Sequence, residues 1–312
     1  MTGNANLHKA KDAKNDEFYT QFTDVSKELM HYKQHFKRKT VFCNCDDPAY
    51  SAFWKYFHLN FKELGLKKLI STHYDKIKPT YKMEYEGGDD NNIEAGVKTL
   101  LKGNGDFRNQ ECLNLLDKAD IVVTNPPFSL FREYVACLME HKKKFLIIGN
   151  MNALTYKEIF PLFRDNLIWY GVSIHSGDRK FGVPDSYPLD AAGCGIDENG
   201  QRYIKVKGVR WFTNLDYAAR HEKLVLWKKY TSEEYPKYDN YDAINVNKYS
   251  EIPVDYDGVM GVPITFMDFH CPEQFDIIKF RKGDDDRDLS INGKCPYFRV
   301  LIRKKDSENG DC

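Results

Sequence analysis

The segment Ala119-Asp120-Ile121-Val122-Val123-Thr124-Asn125-Pro126-Pro127-Phe128 decides how the rest of this 312-residue chain is read. The apolar run at residues 119–123 has the pattern of a buried strand, and Ser129-Leu130-Phe131-Arg132-Glu133 has that of a helix start. A strand end that opens into a helix is where α/β sheets place their ligands. Two consecutive prolines fix φ and remove two backbone donors, and the first also holds Asn125 extended, so the local carbonyls are aimed and have little competition. An Asn side-chain oxygen beside a fixed backbone carbonyl is a pair of acceptors. Such a pair suits an amino group on a conjugated ring or an amide, whose hydrogens it can hold while the lone pair is freed. Phe128 adds a flat apolar face for a planar base. Read alone, the same residues also suit a strand-ending turn whose Phe returns to the core.

Outward from this segment the pattern is βαβ. A helix is expected over residues 25–36, a first strand over 40–45 and a helix over 50–64 that stops at Gly65. A second strand is expected over 66–72, a hairpin insertion over 74–88, a third strand over 97–101 and a helix over 110–116. The segment above is then a fourth strand end, followed by a helix over 129–141, a strong strand over 144–149 and a helix over 155–164. The alternation implies an α/β fold with a Rossmann-like, doubly wound sheet. Residues 171–200 are rich in Gly, Pro and Asp and read as a functional loop. Strands are expected again over 202–211, 223–229, 261–266 and 297–303.

Composition narrows the class. Lys plus Arg equals Asp plus Glu at 46 each, so a polyanion must be held by a local patch and not by overall charge. Residues 202–229 supply one, with Arg202, Lys205, Lys207, Arg210, Arg220, Lys223, Lys228 and Lys229 against Asp216 and Glu222; a solvated strand face is the plainer account of any single one. Eight cysteines without a CxxC pair speak for a reducing setting and against zinc or a disulfide framework, and no metal is expected. Residues 1–15 read as a flexible basic arm without the apolar centre of a signal peptide, and no run has the length of a membrane span, so a cytoplasmic protein with no membrane partner is expected.

Four loops should meet at the carboxyl edge of one sheet: residues 18–21, 45–48, 103–107 and 125–128. Asp106 and Phe107 place an acceptor beside a stacking face, although Asp106 next to Gly105 also suits an Asx turn. The segments DEFYTQ (residues 16–21), FCNCDDP (42–48), GDF (105–107), TNPPFSLF (124–131), FLIIGN (145–150), EYPKYDNYDAINVNK (234–248) and GVMGVPITF (258–266) together resemble the EcoRI-type adenine-specific DNA modification methylases.

The resemblance implies transfer of a methyl group from S-adenosyl-L-methionine to the N6 amino group of an adenine flipped out of double-stranded DNA. It implies that Phe18, Tyr19 and Thr20 hold the methionine end of the cofactor. Cys45 and Asp46 match the first cofactor motif, although Cys43-Asn44-Cys45 stands where a glycine-rich turn is usual. Asp106 and Phe107 match the pair that binds the cofactor adenine, and Tyr74 or Asp75 substitutes for the usual ribose-binding acid. Asn125, Pro126, Pro127 and Phe128 match the catalytic motif, with Asn125 also near the cofactor. Residues 16–171 then form the cofactor-binding catalytic core, and residues 172–312 hold the remaining core strands and a carboxyl-terminal target-recognition region, with Arg202, Lys205, Lys207 and Arg210 as DNA contacts. A monomer is implied, with a cognate restriction endonuclease as a possible companion and GAATTC as the first site to test. RNA adenine or a protein glutamine amide stay open as alternative substrates, as does a catalytically silent DNA-binding protein.

Overall fold

The computed structural model describes residues 18–76, 79–190 and 192–305; the expected basic arm at residues 1–15 lies outside them. The chain is mixed α/β with several sheets. It divides into two compact units, one of the described residues up to Ala153 together with Gly171–Leu215, the other of Leu154–Tyr170 together with the described residues from Asp216 onward.

The main sheet of the first unit is built from strands β1 (Thr40–Cys43), β2 (Lys68–Thr72), β3 (Tyr81–Tyr85), β4 (Val97–Leu100), β5 (Ile121–Thr124), β6 (Lys144–Asn150) and β7 (Val209–Thr213). Their spatial order is β4-β3-β2-β1-β5-β6-β7. Strands β2, β1, β5 and β6 run parallel, with Phe42 opposite Val122 and Val122 opposite Phe145. Every residue of β1 and β5 is buried, as expected of strands covered on both faces. The chain leaves β1 for β2, β3 and β4 on one side and returns to β5 on the other. Between the ends of β1 and β5 the strand order reverses, and this is the crevice in which such sheets bind ligands.

The helices follow the expected pattern, except that the one expected over 155–164 is helical only over Phe160–Arg164. Helix Phe22–Leu29 continues through a 3-10 turn, Met30–Tyr32, into Lys33–Phe36. Helix Ala52–Leu59 is capped by the Ser51 hydroxyl, which accepts from the backbone N–H groups of Phe53 and Trp54 at 3.1 Å. The following turn ends at Gly65 in the left-handed region, φ 62°. Helices Gln110–Lys118 and Phe131–Glu140 flank β5 in sequence.

Four expectations change. The single strand expected over 202–211 is two, Arg202–Lys207 and Val209–Thr213, which lie in different sheets. The strand over 97–101 exists, but as β4 it pairs antiparallel with β3, itself antiparallel to β2, so the insertion is a meander at the sheet edge. The loop over 171–200 contains strands Asp178–Gly182 and Cys194–Ile196, which join Tyr19–Thr20 and Arg202–Lys207 in a small second sheet of the first unit. Residues 223–229 form no regular strand; a single bridge joins Lys228 to Pro253.

In the second unit Ala243–Asn245 lies parallel to Val259–Pro263, which pairs antiparallel with Arg299–Lys304, and that strand with Phe275–Phe280. Ala243, Val259 and Leu301 pack with Tyr238 and Leu289 in one apolar cluster. Among the described residues no helix is long and apolar enough to cross a membrane, and no group of His, Cys, Asp or Glu is placed to hold a metal.

Candidate active site

The ends of β1 and β5 are tied together by Asp46. Its carboxylate accepts from the Ser51 hydroxyl at 3.0 Å, from the Thr124 hydroxyl and from the Asn125 backbone N–H at 3.4 Å. The Thr124 oxygen in turn accepts from the Cys45 N–H at 3.1 Å. Ser71 donates to the Asp46 carbonyl at 2.5 Å, so β2 joins the same knot. Burial pushes the Asp46 carboxyl up to about 6, against three hydrogen bonds that favour the ionised form. The Asp46 side chain therefore faces inward, toward the strand ends.

The Asn125 amide is 8% exposed and donates through Nδ2 to the Phe18 carbonyl at 2.7 Å. Its Oδ1 is buried without a hydrogen-bond partner among the described residues. The donor bond assigns the two ends of the amide, because a carbonyl accepts only from the nitrogen end. A buried acceptor left unmet costs free energy, so Oδ1 is a place for a donor that the described residues do not supply. Pro126 is buried, and Pro127 and Phe128 are half-buried. The Phe128 ring meets Phe18 edge to face at 5.8 Å and Phe181 at 6.3 Å, and Phe18 also meets Phe181 and Tyr187.

The loop at 103–107 reaches the same place from β4. Gly105 has φ 76°, and a Cβ there would stand 1.8 Å from the His73 carbonyl, so the loop is pressed on the end of β2. Phe107 is buried with its ring against the edge of Tyr134 at 4.9 Å, and the Tyr134 hydroxyl donates to Asn44 Oδ1. Asp106 is gripped by Arg108, with Oδ1 accepting from Nε at 2.9 Å and Oδ2 from Nη2 at 2.7 Å, which holds its carboxyl below the usual range. A carboxylate has about four lone-pair sites, so Oδ2 retains one for a further donor. Thr20 Oγ1, Thr80 Oγ1 and His73 Nδ1 are also buried without a partner among the described residues. Tyr74 is exposed, and the Asp75 N–H donates to the Asn104 carbonyl at 2.9 Å.

The structure thus brings together Phe18, Tyr19, Thr20, Cys45, Asp46, Asp106, Phe107, Asn125, Pro126, Pro127 and Phe128. A family model described as "Adenine-specific methyltransferase EcoRI" matches residues 6–305. The chain belongs to this family. It is an enzyme, an adenine-specific DNA methyltransferase. Among its relatives are Type II methyltransferase M.EcoRI of Escherichia coli, 53% identical with 96% of each chain covered, and Type II methyltransferase M.MpnI of Mycoplasma pneumoniae, 42% identical over 96% of this chain and 98% of the relative. Type II methyltransferase M.MgeORF184P of Mycoplasma genitalium is 37% identical over the same shares. No solved structure matches.

The basic residues expected as DNA contacts of this EcoRI-family methyltransferase separate into two kinds. Lys205 and Lys207 are exposed on Arg202–Lys207, with Lys180 across from Lys205. Arg202 is half-buried and donates to the Tyr187 carbonyl at 2.6 Å. Arg210 is 3% exposed and donates to the carbonyls of Val209 and His175, so it serves the interior and not a phosphate-facing surface. Residues that reading the sequence left out are Thr124 and Ser51, which hold Asp46, and Phe181 and Tyr187, which wall Phe18. The last two lie within the stretch singled out as a functional loop; nothing local marked the individual side chains.

Proposed function

We propose that this enzyme methylates the N6 amino group of an adenine flipped from duplex DNA, in a restriction-modification setting, and that S-adenosyl-L-methionine is its methyl donor. The observation that carries the reading is the orphaned Asn125 Oδ1, anchored from behind by the bond to Phe18. When bound, the cofactor supplies an electrophilic methyl group on a sulfonium. Its fit rests on the orphaned Thr20 hydroxyl, the free lone pair of Asp106 and the apolar wall of Phe107. Phe18, Tyr19 and Thr20 would hold the methionine end and Asp106 with Phe107 the adenine, with Cys45, Tyr74 and Asn125 adjoining. Asp46 acts through the strand ends it ties.

Asn125 Oδ1 and the Pro126 carbonyl accept the two hydrogens of the target amine. That drives its nitrogen toward a pyramidal form with the lone pair exposed, an interaction stronger in the transition state than in the ground state. Pro127 stiffens the turn, and Phe128 stacks on the extruded base.

The proposal extends to the frame. The main sheet is of the Rossmann-like methyltransferase kind, residues 172–312 include the carboxyl-terminal target-recognition region, and Lys205 and Lys207 lie toward phosphates. The protein acts as a cytoplasmic monomer, with a cognate nuclease as a separate companion, and GAATTC is the first sequence to test, given the identity to M.EcoRI. A labelled-methyl assay offering duplex DNA, RNA and protein separately, with mapping of methylated adenines in DNA from expressing cells, checks this. Label confined to RNA or to protein amides overturns it.

A further inference from the structure

The stretch Lys223-Leu224-Val225-Leu226-Trp227-Lys228-Lys229 of the second unit has no part in the methyl-transfer site, although its lysines belong to the basic run of residues 202–229. Its side chains alternate: Leu224, Leu226 and Lys228 are half-buried, whereas Lys223, Val225, Trp227 and Lys229 are exposed. Val225 is 86% exposed and Trp227 67%. The backbone beneath is fixed. Leu224 donates to the Gln274 side-chain oxygen at 2.7 Å and accepts from its nitrogen at 2.9 Å. The Lys228 carbonyl accepts from the Val254 N–H at 2.8 Å, and the Tyr230 N–H donates to Asp255 at 2.8 Å. Lys228 turns to Glu234, at 3.2 Å.

The result is a pinned ridge that presents Lys, Val, Trp and Lys in that order, with no acid among its outward positions. A large apolar pair raised on a fixed backbone marks an interaction surface more than a solvated loop. Six residue steps of about 3.3 Å set an upper bound of roughly 20 Å on the Cα separation of Lys223 and Lys229, a reach that lets two long side chains straddle a major groove about 12 Å wide.

Resting on the DNA-methylation reading, we propose that this ridge docks on duplex DNA, with Lys223 and Lys229 on phosphates at either side of a groove and Val225 with Trp227 against the sugar and methyl groups between them. The charge of the ridge is complementary to the duplex, and its apolar centre matches the uncharged surface that a groove offers between two phosphate rows.

Binding of full-length enzyme to its methylatable duplex, titrated across salt concentrations beside cofactor binding and methyl transfer, tests this. The Lys223→Ala/Lys229→Ala variant should lower the slope of log affinity against log salt by about two, at about 0.9 per phosphate contact. Trp227→Ala should weaken duplex affinity about tenfold with the slope unchanged, Trp227→Phe should retain most of it, and none should alter cofactor affinity or thermal stability. Wild-type affinity and slope in all variants overturn the proposal. So does loss of self-association by sedimentation in Trp227→Ala with DNA binding intact, which would make the ridge a contact between copies. A wild-type enzyme that binds no duplex DNA overturns the substrate reading itself, a different result from either.

Discussion

Asn125 Nδ2 donates to the Phe18 carbonyl at 2.7 Å, and that bond leaves Oδ1 buried without a partner among the described residues. The two residues come from segments more than a hundred positions apart, so the amino-terminal segment fixes the orientation of the Asn125 amide.

In the proposed role, Asn125→Ala removes an acceptor that matters most as the amine pyramidalises. Loss of one such transition-state partner costs about 10²–10³ in kcat. Cofactor affinity should change far less. Methyl transfer at saturating DNA, measured beside direct titration of the cofactor, checks the split; equal loss of both would remove the assigned role.

What the sequence could disclose about this site followed distance along the chain. β1 and β5 were legible because continuous apolar runs bounded by polar turns leave little choice, and Gly65 marked a helix end through its left-handed conformation. The convergence of the four loops followed from the βαβ order. The meander of β3 and β4 was not legible, since local alternation does not tell a parallel from an antiparallel neighbour. Nor was the burial of Arg210: a basic residue in a strand reads as surface, and only its carbonyl partners at Val209 and His175 show otherwise. Phe181 reaches Phe18 and Phe128 through pairing with Thr20, a long-range contact that no periodicity encodes. Residues 223–229 have strand alternation, but the Gln274 side chain meets both backbone groups of Leu224 and Asp255 meets the N–H of the adjoining Tyr230, groups a ladder would have taken.

The knot at Asp46 gives a pH dependence with a definite sign. Its carboxyl is raised from the ordinary 3.8 to about 6, mainly by burial, with Asp47 adding to the rise. The folded state therefore binds the proton more tightly than the unfolded chain. The contribution of Asp46 to stability is full below about 4 and is lost as pH rises through about 6. Activity should run the other way. Once protonated, the carboxyl carries a hydrogen of its own, while the Thr124 hydroxyl, the Ser51 hydroxyl and the Asn125 N–H around it all donate to it, so one of these bonds must reverse or break and the strand end at Asn125 loosens. Methyl transfer should fall on an acid limb near pH 6. In Asp46→Asn this limb should flatten, and the stability of wild type relative to the variant should decline between pH 4 and 6. An unchanged limb in the variant would count against Asp46 as the positioning group.

Gly105 tests how closely the loop carrying Asp106 and Phe107 must sit on β2. In Gly105→Ala the new Cβ meets the His73 carbonyl at 1.8 Å and the Thr80 hydroxyl at 2.6 Å, and neither the backbone overlap nor the left-handed φ can be relieved by a rotamer. The φ alone costs about 1–2 kcal/mol. Gly200, with φ 78° and open space around it, isolates that part. Thermal unfolding should show a loss above about 2 kcal/mol for Gly105→Ala and a smaller one for Gly200→Ala, and cofactor titration should weaken only in the former. Equal effects at both positions would mean that the loop tolerates displacement.

Arg210 and the lysines of the neighbouring strand should part company by experiment. The Arg210 guanidinium is enclosed, and replacing it with Met leaves the carbonyls of Val209 and His175 without these donors, at about 1–3 kcal/mol for a buried group. Arg210→Met should therefore lower the unfolding temperature and leave the salt dependence of DNA binding as it was, because a buried cation releases no counterions from the duplex. Lys205→Ala and Lys207→Ala, at exposed positions, should leave stability nearly untouched, and each should reduce the salt slope by about one. Denaturation curves and salt-dependent binding on the same three variants check both halves. A salt slope that falls in Arg210→Met would show its side chain leaving the interior to meet phosphate, and would return it to the set of DNA contacts.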